Sequence, residues 1–167
     1  MENFIASESG FIVILSLFIL GAVFSLVFQR SDKTANMAGN LFAIFGSSLG
    51  LIFSTLVLLK GSDLSFTVGA STLPLVAFSF HIDALSAFFI FTISLIALLC
   101  SVYAIGYVKH YYKKYNIGGL GFFYNILILS LILIVSASNA LFFLVVWEIM
   151  AIASYFIVVY DHKDKDN

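Results

Sequence analysis

Residues 115–160 read YNIGGLGFFYNILILSLILIVSASNALFFLVVWEIMAIASYFIVVY and carry one charge, Glu148. A helix needs about 20 apolar residues to cross roughly 30 Å of hydrocarbon. The stretch is too long for one crossing and right for two. The small polar cluster Ser136-Ala-Ser-Asn139 supplies the turn between them. The rest of the chain repeats the pattern. Residues 9–29, 34–59 and 84–108 hold no charge, and each predicts one span. The expected class is an all-α integral membrane protein. Its five transmembrane helices run over about 10–29, 37–59, 84–108, 118–137 and 139–160.

Between the second and third spans, Leu64-Ser-Phe-Thr-Val68 alternates in polarity, Gly69 and Pro74 punctuate, and Val76–Ile82 alternates again. That pattern predicts a short extracytoplasmic β-hairpin within the outer loop 60–83. No internal repeat or domain boundary interrupts residues 1–167, which read as a single membrane unit.

Composition excludes several classes. The 167 residues are 62% hydrophobic and 10% charged, against about half and a quarter in soluble domains. A net charge of −1 provides no basic field for nucleic acid. One cysteine, Cys100, rules out a disulfide framework, and it is expected as a buried small residue. No haem-binding histidine pair, Walker loop, Rossmann motif or metal cluster is visible. The sequence therefore predicts no cofactor, no metal and no catalytic residue.

Seven of the eight basic residues fall in the loops after spans one, three and five, and only Lys60 falls opposite. Positive charge favours the cytoplasmic side, so the N-terminus is expected outside and the C-terminus inside. Tyr107, Tyr111, Tyr112 and Tyr115 crowd the same inner interface. Glu2 and Glu8 stand where a signal peptide carries basic residues, so span one is expected to be retained.

Glu148 is the outstanding residue. A charge at mid-bilayer costs roughly 2.5–3.5 kcal/mol on insertion scales, and such residues mark proton or ion pathways. Every span lacks a basic residue, so a charged partner must come from elsewhere. Two readings of Asn125 stand side by side: it faces Glu148 across the last helical hairpin, or it makes an interhelical packing bond. Gly46 and Gly50 form a GxxxG, which reads as close helix packing. His81 and Asp83 flank the outer end of span three. They read as a polar gating pair or, more simply, as a solvated helix start with Asp83 as its N-cap. His110 and His162 read as solvated loop residues.

Phe80-His-Ile-Asp-Ala-Leu-Ser86 resembles the IDxLS segment that opens the third helix of the antiporter-like subunits of respiratory complex I. Tyr103-Ala-Ile-Gly-Tyr107 resembles the close of that helix, and Phe122-Phe-Tyr-Asn125 the start of the fourth. Asn139–Glu148, followed by Ser154-Tyr155, is similar to the fifth-helix signature. The family also includes Mrp-type Na+/H+ antiporter subunits and the membrane subunits of formate hydrogenlyase and hydrogenase-4. The Tyr-x-x-Gly-Tyr wording leans toward the hydrogenase branch.

The resemblance covers residues 80–160, with residues 1–79 matching in layout. It implies that the glutamate matching Glu148 is essential to proton translocation and pairs with a lysine two helices later. Asn125 would assist that carboxyl. Family members carry about fourteen helices around two inverted repeats. The chain is therefore expected to be an incomplete subunit: a gene fragment, a frameshifted product or half of a split subunit. The implied partners are the missing later helices, other membrane subunits of a complex I-like or hydrogenase complex, and the lipid bilayer. The implied location is the cytoplasmic membrane. The chain would not be catalytic alone, and its coupling ion, H+ or Na+, is not specified by a carboxyl. A purely structural or assembly role for the chain is the remaining alternative.

Overall fold

The computed structural model describes residues 2–61, 63–68 and 78–161. A four-residue helix α1 (Glu2–Ile5) precedes α2 (Glu8–Val27) and α3 (Asp32–Lys60). Strands β1 (Leu64–Val68) and β2 (Phe78–Ile82) follow, then α4 (Ala84–Tyr107), α5 (Ile117–Ser136) and α6 (Ala140–Val158). Five of these helices are long and apolar enough to cross a membrane. The two strands pair antiparallel, with Phe66 opposite Phe80 and Ser65 opposite His81. The five-span layout and the hairpin thus match expectation. Gly69, Pro74, Val76, Ala77 and His162 lie outside the described residues.

Two helices start earlier than their uncharged stretches. α2 begins at Glu8, and α3 takes in Asp32 and Lys33. Charges mark the edge of the apolar zone, whereas backbone hydrogen bonding continues past it. An acidic residue in the first turn also complements the helix dipole. Helix ends are closed locally. Asp83, Asn116 and Asn139 accept from the backbone N–H groups of Ser86, Gly119 and Leu141 at 2.7, 3.0 and 2.9 Å. Gly61, at φ 60°, ends α3 in the left-handed region.

Helices α2, α3, α4 and α5 form a four-membered ring, with α3 also touching α5 across it. α6 packs chiefly on α5. Beneath the hairpin lies an aromatic cluster. The Phe11 ring sits 5.5 Å from Phe53 and 5.6 Å from Phe80, and Phe80 sits 5.4 Å from Phe142. The Ser138 N–H donates to the Ser79 carbonyl at 3.0 Å, tying the hairpin to the α5–α6 turn. At the opposite, basic end, the Lys113 N–H donates to Asp32 Oδ2 at 2.6 Å and joins two loops.

Cys100 corrects an expectation: it is exposed, not buried. The buried face of α4 is Ala87, Ile90, Ser94, Ala97 and Ser101. That stripe follows the helical repeat, and one residue's rotation turns Cys100 away from it.

Candidate functional site

Glu148 sits near the midpoint of the 19-residue α6, on its exposed face. The residues of α6 buried against the bundle are Phe142, Val146 and Ala153. Trp147, Leu144, Ile152 and Tyr155 share the outward side with Glu148, each at least half exposed. Glu148 has no hydrogen bond or ion pair with a described residue. A carboxyl on an apolar, outward-facing membrane helix needs a partner from outside these helices.

Asn125 lies elsewhere. It is fully buried, and its amide donates to the Gly39 carbonyl of α3 at 3.2 Å and to Gly121 at 2.9 Å. Its Oδ1 rests against Gly21 of α2, where a β-carbon would come within 2.4 Å. The packing reading of Asn125 fits this geometry. The amide meets α2 and α3, and no hydrogen bond joins Asn125 to Glu148.

The small residues line the seams. Gly46 lies against the Phe18 ring of α2, and Gly50 against Ser94 of α4, so the GxxxG serves two neighbours at once. Gly118 and Gly121 let α5 approach Ser25 of α2 and Gln29 in the turn beyond it. Four buried serines are satisfied within their own helices: Ser25, Ser54, Ser101 and Ser136 donate to carbonyls four residues back at 2.7–2.8 Å, whereas the buried hydroxyls of Ser47 and Ser94 have no partner among protein atoms.

At the hairpin end, His81 Nδ1 lies 2.7 Å from Ser65 Oγ across the strands. Asp83 is the N-cap of α4. The Ser86 backbone N–H, then the Ser86 side chain, hold the Asp83 carboxyl below its usual 3.8, with a smaller contribution from His81. His81 and Asp83 therefore bond to different partners.

Sequence reasoning passed over a polar cluster at the basic end. Asn36 donates to the Ile105 carbonyl at 3.2 Å and to the Tyr112 hydroxyl at 2.9 Å. Asn40 donates to the Asn36 carbonyl and to Asn36 Oδ1, both at 2.8 Å. Two amides four apart at the start of an apolar helix were the available signal. A groove of about 650 Å³ lies between the start of α5 and the end of α6 and includes neither Glu148 nor Asn125. No group of three metal-ligating side chains occurs among the described residues.

A family model described as NADH-ubiquinone oxidoreductase (complex I), chain 5 N-terminus, matches residues 71–116. Hydrogenase-4 component B of Escherichia coli (strain K12) is 30% identical over 145 residues, which is 87% of this chain and 21% of that protein. The chain is a relative of the antiporter-like membrane subunits. A second relative, "Putative antiporter subunit mnhA2" of Staphylococcus saprophyticus, is 30% identical over 161 residues, 93% of this chain and 20% of its own length. This antiporter-like chain thus spans about a fifth of both relatives. Together with its five apolar helices, the relationship makes it a multi-pass membrane protein.

Proposed function

We propose that this chain is the N-terminal part of a proton-translocating antiporter-like subunit, with Glu148 as its membrane-embedded proton carrier. One observation carries the reading: Glu148 stands at mid-length on a helix whose outer face is apolar, with no partner among the described residues. A carboxyl in that setting is stable when protonated or when met by a cation. Alternation between those two conditions moves a proton. The cation would arrive on a helix outside this chain, from the rest of a longer subunit or from a separate polypeptide packed on α6.

The relationship to a hydrogenase-4 component and to the complex I family model favours a membrane-bound oxidoreductase assembly. Redox chemistry would then reside in other subunits, and this part would act through charge alone. The basic end would face the cytoplasm. Asn125 would hold α5 against α3 and act on Glu148 only by fixing α5. The antiporter relative favours a second reading, Na+/H+ exchange without electron transfer.

The test is Glu148→Gln in the assembled membrane complex. The first reading expects assembly to persist and electron-transfer-linked proton uptake to fall to background. Unchanged pumping overturns it. Sodium-dependent proton flux lost in the same variant, without any redox partner, selects the second.

A further inference from the structure

A cavity of about 160 Å³ lies between α3, α4 and α5 near the basic end. Its walls include Asn36, Asn40, Ala104, Tyr107, Gly121 and Tyr124. Tyr107 is about half exposed and also lines the cavity, so the mouth is at the surface of the bundle. Asn40 lies eight residues into α3, about 12 Å below the first turn at the helical rise of 1.5 Å per residue.

The Asn40 side chain is 6% exposed, and its Oδ1 has no hydrogen-bond partner among protein atoms. The neighbouring polar groups are already engaged. Both Asn36 amide protons go to Ile105 and Tyr112. The Tyr124 hydroxyl donates to the Ala97 carbonyl at 3.1 Å. The Gly121 carbonyl accepts from Asn125. One buried acceptor thus remains that only a donor from outside the protein satisfies. Buried polar groups in native proteins are nearly always hydrogen-bonded, to protein or to ordered water.

We propose that this cavity is an aqueous chamber: a small cluster of water molecules anchored on Asn40 Oδ1 and entering from the basic end past Tyr107. The volume fits about five waters at roughly 30 Å³ each. It is too small for a lipid chain. A bare cation needs several oxygen ligands, and a single free amide oxygen does not supply them. A purely apolar cavity of this size stays dry, and a buried water needs two or more polar partners. Here Asn36, Tyr107 and Tyr124 line the same cavity as Asn40. The inference rests on α3, α4 and α5 alone and is independent of the role given to Glu148.

The chamber is tested by cysteine accessibility in the full chain in its native membrane, in a Cys100→Ser background. Ala104→Cys places a thiol on the cavity wall. Val102→Cys places one on the exposed face of the same helix at similar depth. A water-soluble methanethiosulfonate reagent, applied to both sides, reacts with thiolates and hence with hydrated cysteines. The chamber expects A104C to react at least tenfold faster than V102C. Equal, slow rates overturn it. Adding Asn40→Leu to A104C is expected to cut that rate at least tenfold, while Asn40→Asp keeps it. A rate unchanged by Asn40→Leu removes Asn40 as the anchor. A high-resolution structure of the unsubstituted protein reads the same point without substitution. Water density within hydrogen-bond distance of Asn40 Oδ1 supports the chamber, and a cavity without density overturns it.

Discussion

Gly21 of α2 and Asn125 of α5 are in direct contact: a β-carbon on Gly21 would lie 2.4 Å from Asn125 Oδ1 and 2.9 Å from Phe42 Cβ. The buried amide and the glycine together set how closely these two helices approach. Gly21→Ala is therefore expected to destabilise the bundle by about 1–3 kcal/mol, the usual cost of overpacking. Gly106, also helical, has nothing within 4 Å of its β-position. Gly106→Ala is expected to be neutral or to stabilise by about 0.5–1 kcal/mol. Thermal unfolding of the purified variants in one detergent distinguishes them, and equal effects would refute the contact.

Asn125 and Glu148 should separate in the same assay. Asn125→Leu removes the bond to Gly39 and puts an apolar branch against Gly21. A loss of about 1–3 kcal/mol is expected, from the bond and the misfit together. Glu148→Gln changes an exposed residue that bonds to no described group, and it should shift stability by less than about 0.5 kcal/mol. A stability loss at Glu148 matching that at Asn125 would argue for a structural carboxyl.

Asp83 gives a pH signature. The fold holds its carboxyl below the usual 3.8 by hydrogen bonds from Ser86. The charged cap therefore contributes stability that is fully present above the unfolded value. That contribution is lost as pH falls through the lower, folded value. Asp83→Asn retains a capping oxygen but does not titrate. Its unfolding temperature should fall below that of the unsubstituted chain at neutral pH, and the gap should close in strong acid. A gap constant across that range would show that the cap carries no charge contribution.

Lys113 is the one non-glycine residue with positive φ, 63°, among the described residues. That conformation costs an L-residue roughly 1–2 kcal/mol, and glycine escapes it. Lys113→Gly keeps the backbone N–H that bonds Asp32. A net stabilisation of about 0.5–1 kcal/mol is expected after the entropy of glycine is counted. Hydrogen exchange at residue 113 should remain slow in the variant. Fast exchange would show that the lysine side chain, and not the Asp32 bond, orders the loop.

Much of the architecture was legible because charge is so unevenly spread. Residues 84–108 carry no charge and residues 115–160 carry one, Glu148, far fewer than a water-exposed segment would, so their crossing of a bilayer follows from transfer energetics. The hairpin was legible because Leu64–Val68 alternates, and side chains of period two belong to a strand, whose successive residues point to opposite faces. Helix edges were less so, since Asp32 and Lys33 continue α3 beyond the apolar run. The candidate site was legible in part. Glu148 announces itself by its cost in hydrocarbon. Asn125 was visible as a polar residue, but its direction was not, and the Asn36–Asn40 pair escaped notice beside a loop rich in polar residues.

The sequence by itself determined that this is a five-helix membrane chain with a surface hairpin and one mid-span carboxyl. Only the tertiary structure decided which way each helix faces. It turned Asn125 toward Gly21 and Gly39, set Cys100 and Glu148 on outward faces, and placed Asn40 on a cavity wall. The physical reason is that lipid and protein interior are equally apolar. A membrane helix is therefore hydrophobic all round, and no periodic pattern marks its buried side. Facing is chosen by seams of small and polar residues between helices far apart in the chain, such as Gly21 with Asn125 and Gly121 with Ser25. Those seams exist only once the helices are assembled.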